Sequence, residues 1–236
     1  SSDPHFLFSL GEANVTLVER DILQSDSAWL NDGCIAFYYE HMKASMPKIE
    51  ESEEGVPSVL FMNPSAAWMV SMIESAEELE MCLDQLSLKS REIIFIPVND
   101  SQDPSKVGGG SHWSLLLFQR ASNTFYYFDS ISSGSNNKKQ AEVYAKNLYP
   151  VLHVAAKEHT TFKVVKAPSQ KNGFDCGVFT VSFSKFAYEW ILSHGVKTPI
   201  DLIAFESALQ AKVSQNTVSQ QRKELLALID SMTPTS

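Results

Sequence analysis

An α+β fold is expected for this chain. Helical periodicity fills both ends, short apolar strand-like runs crowd the middle, and no linker-like stretch divides the 236 residues. A chain of that length, 44% hydrophobic and 11% aromatic, can bury one ordinary core, so residues 1–236 are taken as a single domain. Its three cysteines, at 34, 82 and 176, lie far apart without C-x-x-C spacing. That pattern disfavours a disulfide scaffold or a zinc cluster and favours a reducing compartment. The formal net charge of −9 argues against nonspecific nucleic-acid binding and leaves room for a basic protein partner. Neither a signal peptide nor a membrane-length apolar run is visible, so an intracellular place, cytoplasm or nucleus, is expected.

The elements follow in order. "HFLFSLGEANVTLVE" predicts two short strands around a Gly-Glu-Ala-Asn turn. "WLNDGCIAFYYEHM" predicts a helix with Ile35, Phe37, Tyr38 and Met42 on a broad apolar face and either Asn31 or Asp32 as its cap. The acidic, proline-flanked stretch 47–58 reads as a solvated loop. Asn63-Pro64 opens a helix, and Ser75 with Glu78 has capping-box spacing for another. "REIIFIPVN", "HWSLLLFQ" and "TFYYFDS" predict three strands, the last two joined by the turn "RASN". A helix containing a proline follows in "NKKQAEVYAKNLYPVLHVAA", then a strand in "TFKVVKA". "CGVFTVSFSKFAYEWIL" is apolar nearly all round and predicts a buried central helix, with two amphipathic helices between Pro199 and Asp230.

Three side chains fall at element edges. His112 opens one strand of the expected hairpin and Asp129 closes the other, so antiparallel pairing brings them to one end of the sheet. A histidine oriented by a carboxylate is a fixed-tautomer base. Cys176, at the start of the central helix, is the available nucleophile: a helix N-terminus favours a sulfur anion, and a nearby imidazolium favours it further. Such a thiol is expected to be partly exposed, with Gly177 leaving the adjacent backbone open. Gln170, six residues earlier, supplies an amide that can donate to an oxyanion beside the Cys176 N–H. Cys34 and Cys82 read as core thiols, and the histidines at 5, 41, 153, 159 and 194 as surface residues.

"WLND" at 29–32, "GGGSHWSLLLF" at 108–118, "YYFDS" at 126–130 and "QKNGFDCGVF" at 170–179 resemble the ubiquitin-like-protease (Ulp/sentrin-specific) family of cysteine proteases. The resemblance implies the papain-like superfamily fold, a central mixed sheet flanked by helices with the catalytic cysteine at a buried helix N-terminus. It implies a His112–Asp129–Cys176 triad with Gln170 as oxyanion donor, and a narrow tunnel for a Gly-Gly tail walled by Trp29 and Trp113. The long segment before His112 is similar to the deneddylase branch, in which Asp32 would face an arginine in the modifier's tail.

The expected activity is that of a cysteine isopeptidase cleaving after the terminal Gly-Gly of a ubiquitin-like modifier. Deneddylation of conjugates such as cullins and maturation of the modifier precursor are the expected forms. A SUMO- or ubiquitin-specific protease is the alternative within the family, and a catalytically silent modifier-binding module the alternative outside it. The reading needs no metal or organic cofactor, involves no nucleic acid or membrane, and expects a monomer.

Overall fold

The computed structural model of the protein describes residues 5–45, 47, 55, 57–101, 110–131, 137–152 and 160–234. Most of the acidic stretch 47–58, Gly108 and Gly109 of the glycine run, and His153 and His159 lie outside the described residues.

Strands β1 (Phe6–Leu10) and β2 (Ala13–Thr16) form the expected hairpin. The chain then turns helical at once, as α1 (Leu17–Gln24), instead of continuing as strand to Glu19. A capping box causes the switch: Thr16 Oγ1 accepts from the Val18 N–H, while Glu19 Oε2 accepts from the Thr16 N–H at 2.9 Å. The other Glu19 oxygen accepts from Asn31 Nδ2 at 2.8 Å, and Asn31 Oδ1 accepts from the Cys34 N–H at 2.9 Å. Asn31, not Asp32, is therefore the cap of α2 (Asp32–Ser45), and Asp32 is an exposed first-turn residue.

Strand β3 (Val59–Phe61) was not expected, because three residues are too few to show alternation. Asn63 caps α3 (Pro64–Met72), and Ser75 caps α4 (Ala76–Leu83) by accepting from the Glu78 N–H. Then come β4 (Ile93–Asn99), β5 (Trp113–Gln119) and β6 (Thr124–Phe128), with Asn123 taking the left-handed position of the β5–β6 turn at φ 44°. Helix α5 (Asn137–Leu148) stops before a short 3₁₀ turn, Tyr149–Leu152, that contains Pro150. Strand β7 (Thr161–Val164), α6 (Cys176–His194), α7 (Leu202–Lys212) and α8 (Gln215–Met232) complete the order.

Strands β3 to β7 form one mixed sheet in sequence order, parallel at its two outer pairs and antiparallel within β4–β5–β6. Alternate positions along each of its central strands feed two separate cores. Phe95, Leu115, Leu117 and Phe128 meet Phe179 and Phe183 of α6, together with α2, α7 and α8. Ile94, Ile96, Leu116 and Phe118 meet α3, α4 and α5. Burial on both faces explains why "IIFIPV" shows no alternation. The β3 ladder ends at Phe95, so Pro97 breaks no pairing on that side among the described residues. Cys34 is buried as expected, but Cys82 is exposed: it lies on the solvent face of α4, whose buried residues are Leu79 and Leu83.

The capping result separates two neighbours. Asn31→Ala removes the α2 cap and leaves a Glu19 oxygen without its donor, and should cost about 1–2 kcal/mol in chemical denaturation. Asp32→Asn should cost only about 0.5 kcal/mol, the charge–dipole contribution of an exposed first-turn acid.

Candidate active site

The β5–β6 register sets the site. Leu115 pairs with Phe128, so His112, just before β5, and Asp129, just after β6, leave the sheet at the same end. His112 Nε2 lies 2.6 Å from Asp129 Oδ1. The carboxylate is held on both oxygens: the Ile131 N–H donates to Oδ1 at 2.8 Å and the Tyr127 hydroxyl donates to Oδ2 at 2.7 Å. The His112 backbone is pinned as well. Its N–H donates to Asp100 Oδ1 at 3.1 Å, and its carbonyl accepts from the fully buried Asn137 Nδ2 at 3.1 Å.

Cys176 is the first residue of α6, and its thiol lies close enough to the His112 side chain to influence the ring's proton affinity. With Nε2 taken by Asp129, the ring nitrogen left for the sulfur is Nδ1. Burial alone would lower the His112 pKa from its ordinary 6.5. The hydrogen bond to Asp129 and the nearby Cys176, with the negative charge of both, outweigh it and push the ring up to about 9. The structure corrects the expected exposure of the thiol, since Cys176 is only 2% exposed. It lines two cavities, of about 510 and 400 Å³. Gly177 serves a different purpose from the one expected. A Cβ there would come within 2.7 Å of Leu30 Cβ and 3.4 Å of Trp113 Cδ1, so its missing side chain lets α6 approach the cavity walls rather than opening space beside the thiol.

The larger cavity contains the residues expected to wall a tunnel. Trp29 is half exposed and its indole N–H donates to the Gly173 carbonyl at 2.8 Å; that of Trp113 donates to the Leu30 carbonyl at 2.9 Å. Asp32 lines the same cavity, with Trp68 and Met69 of α3 opposite. Gln170 lines the smaller one with Cys176 and His112. Its side chain is fixed: Oε1 accepts from Ser130 Oγ at 2.7 Å and Nε2 donates to the Asn172 carbonyl at 2.6 Å. Sequence reasoning missed Tyr127, Asn137 and Asp100, which orient the residues it found. Only Asp100, with its acceptor side chain at the end of a strand, carried any local sign of its role.

Cys34 is chemically different. It is fully buried, and burial with the nearby Glu19 charge pushes its thiol far up.

A cysteine on a helix N-terminus beside a histidine that a carboxylate orients is an arrangement suited to thiol hydrolysis. The C-terminal catalytic domain of the Ulp1 protease family matches residues 28–196, and the chain belongs to that family. Over 245 residues it is 31% identical to the protein named Probable sentrin-specific protease 8 of Dictyostelium discoideum, covering 97% of this chain and 98% of that one. NEDD8-specific protease 1 of Arabidopsis thaliana is 28% identical over 97% of this chain and 94% of its own. Among solved structures, the C-terminal Ulp1 protease domain in complex with Smt3, the yeast ortholog of SUMO, superposes with a TM-score of 0.66. That match is 18% identical and covers 99% of this chain and 91% of the other, which establishes a shared fold.

The raised His112 pKa fixes the sign of a pH effect. Below pH 6.5 the folded and unfolded chains both hold the proton and the pairing contributes fully; the contribution fades as pH rises through about 9. An NMR titration should find the His112 ring protonated until near pH 9. In Asp129→Asn the midpoint should fall, because the carboxylate's hydrogen bond and charge are lost while burial remains.

Proposed function

We propose that this protein is a deneddylating isopeptidase in which Cys176, His112 and Asp129 form the catalytic triad and Gln170 is the oxyanion donor. One observation carries the reading: His112, paired with the Asp129 carboxylate at 2.6 Å, and the Cys176 thiol line one cavity together with Trp29 and Trp113. The Cys176 sulfur attacks the carbonyl carbon of the modifier's terminal glycine. The resulting oxyanion is met by the Cys176 backbone N–H and the second N–H of Gln170 Nε2, the first being committed to Asn172. The carbon–nitrogen bond to the lysine amine then breaks as His112 gives that nitrogen its proton. Water attacks the thioester carbon while His112 takes the water's proton; the carbon–sulfur bond then breaks, the electron pair returning to the Cys176 sulfur, and the modifier leaves with a free carboxylate.

Trp29 and Trp113 restrict the approach to residues without side chains, which suits a Gly-Gly tail. Asp32, free of a capping duty, is available to an arginine in the tail. NEDD8 is favoured over other modifiers because relatives matching nearly the whole chain carry the names sentrin-specific protease 8 and NEDD8-specific protease. Residues 1–236 are read as one catalytic domain, since a single sheet supplies side chains to both cores.

Electrophilic probes built on NEDD8, SUMO and ubiquitin test the reading. The NEDD8 probe should label Cys176 fastest; fastest labelling by SUMO would reassign the modifier but leave the mechanism. Cys176→Ala should abolish cleavage yet still bind NEDD8. Gln170→Ala should lower turnover about 10²-fold with a smaller change in binding. A variant that loses affinity and keeps its maximal rate would make Gln170 a binding residue.

A further inference from the structure

Arg222, on α8, lies beyond the segment matched by the family domain, and its side chain is 6% exposed. It sits behind the site, and its guanidinium uses every donor it has. Nε and Nη2 donate to Asp175 Oδ1 at 3.2 and 3.0 Å, Nη1 to the Ile22 and Ser25 carbonyls at 3.2 and 3.3 Å, and Nη2 to the Ala28 carbonyl at 2.8 Å. Asp175 Oδ2 accepts from Asn172 Nδ2 and Gln215 Nε2, each at 2.7 Å. Asp175 directly precedes Cys176 but makes no side-chain cap to α6. Ala28 directly precedes Trp29, and Asn172 receives the Gln170 amide. One cation thus holds the side chain of the residue before the thiol, the backbone before a cavity wall and, through Asp175, the loop carrying Gln170.

From this connectivity we infer that Arg222 is a positioning residue. It fixes the spacing between Cys176 and Trp29, and it neutralises a buried carboxylate, on the residue next to Cys176, that would otherwise have no counter-charge. The charged groups described around Cys176 are His112 with Asp129 at the sheet edge, Asp32 and Lys171 along the cavities, and Asp175 with Arg222 behind. Only the Asp175 charge has Arg222 as its partner. The two functions separate by substitution: Arg222→Lys keeps the charge but not the planar fork, while Arg222→Gln removes the charge.

The inference rests on the proposed role of Cys176, so its test uses two reagents. Iodoacetamide, followed across pH with the alkylated site identified by mass spectrometry, reports the sulfur's surroundings without needing the modifier. A NEDD8 probe reports sulfur and cavity wall together. In folded Arg222→Gln the alkylation midpoint should move to higher pH by about one unit. Adding Asp175→Asn should return it towards the wild-type value, even if melting temperature stays low. Arg222→Lys should keep the wild-type midpoint yet label with the probe roughly 10²-fold more slowly. An unmoved midpoint in folded Arg222→Gln, or a shift that Asp175→Asn does not reverse, would overturn the electrostatic part. Wild-type labelling by Arg222→Lys would overturn the positioning part. If Arg222→Gln does not fold, Arg222→Lys and the neutral double variant carry the decision. Failure of the hydrolase reading would look different: wild-type Cys176 would react with iodoacetamide and with none of the modifier probes.

Discussion

The site depends on how α6 lies against the sheet. Phe179 and Phe183 pack on the face that carries Phe95, Leu115 and Phe128, with Phe128 and Phe183 ring centroids 5.8 Å apart. That burial fixes the helix along its length, so its first residue arrives where β5 begins and β6 ends. Gly177 sets how closely the helix end can approach Leu30 and Trp113. A rigid apolar helix thereby delivers a thiol to a histidine whose own position is set by strand register.

Polar groups at this end of the sheet are buried; those of His112 and Asp129 are paired, which makes their burial tolerable, while Asn137 Oδ1 has no partner among the described residues. Asp129 accepts from His112, Tyr127 and Ile131, and Asn137 holds the His112 carbonyl. In a medium of low dielectric such bonds hold their geometry more firmly than in water. A proton-transfer group oriented before substrate arrives need not reorganise during the reaction. The two buried cysteines show what this adds. Cys34 has apolar surroundings and a nearby glutamate, which disfavour its anion, whereas Cys176 faces an imidazole held protonated to about pH 9.

The larger cavity arises from an omission in the sheet. Because β3 covers only the first half of β4, Pro97 and Asn99 reach the cavity, and α3 supplies the opposite wall with Trp68 and Met69. The wall carrying Trp29 is tied to the helical end regions by hydrogen bonds: Glu19 of α1 holds Asn31, and Arg222 of α8 holds the Ala28 carbonyl. Elements at both ends of the chain thus shape a site whose reactive groups all come from the middle.

The sequence by itself determined the hairpin strands of the site, the buried α6, the two C-terminal helices, and the set of His112, Asp129, Gln170 and Cys176. These were legible because periodicity, strand ends and a nucleophile beside a helix start are local patterns, and because the motifs resemble a known family. It did not show β3, too short for a pattern, or the strand-to-helix switch at Thr16, where an apolar run hid a capping box. The cap of α2 stayed open between Asn31 and Asp32, because the choice depends on Glu19, twelve residues away. Tertiary structure alone decided that Cys176 is buried, that Gly177 serves close packing, and that Arg222 meets Asp175 across 47 positions. Contacts of that kind depend on how helices and sheet stack in space, and no local pattern in the chain records them.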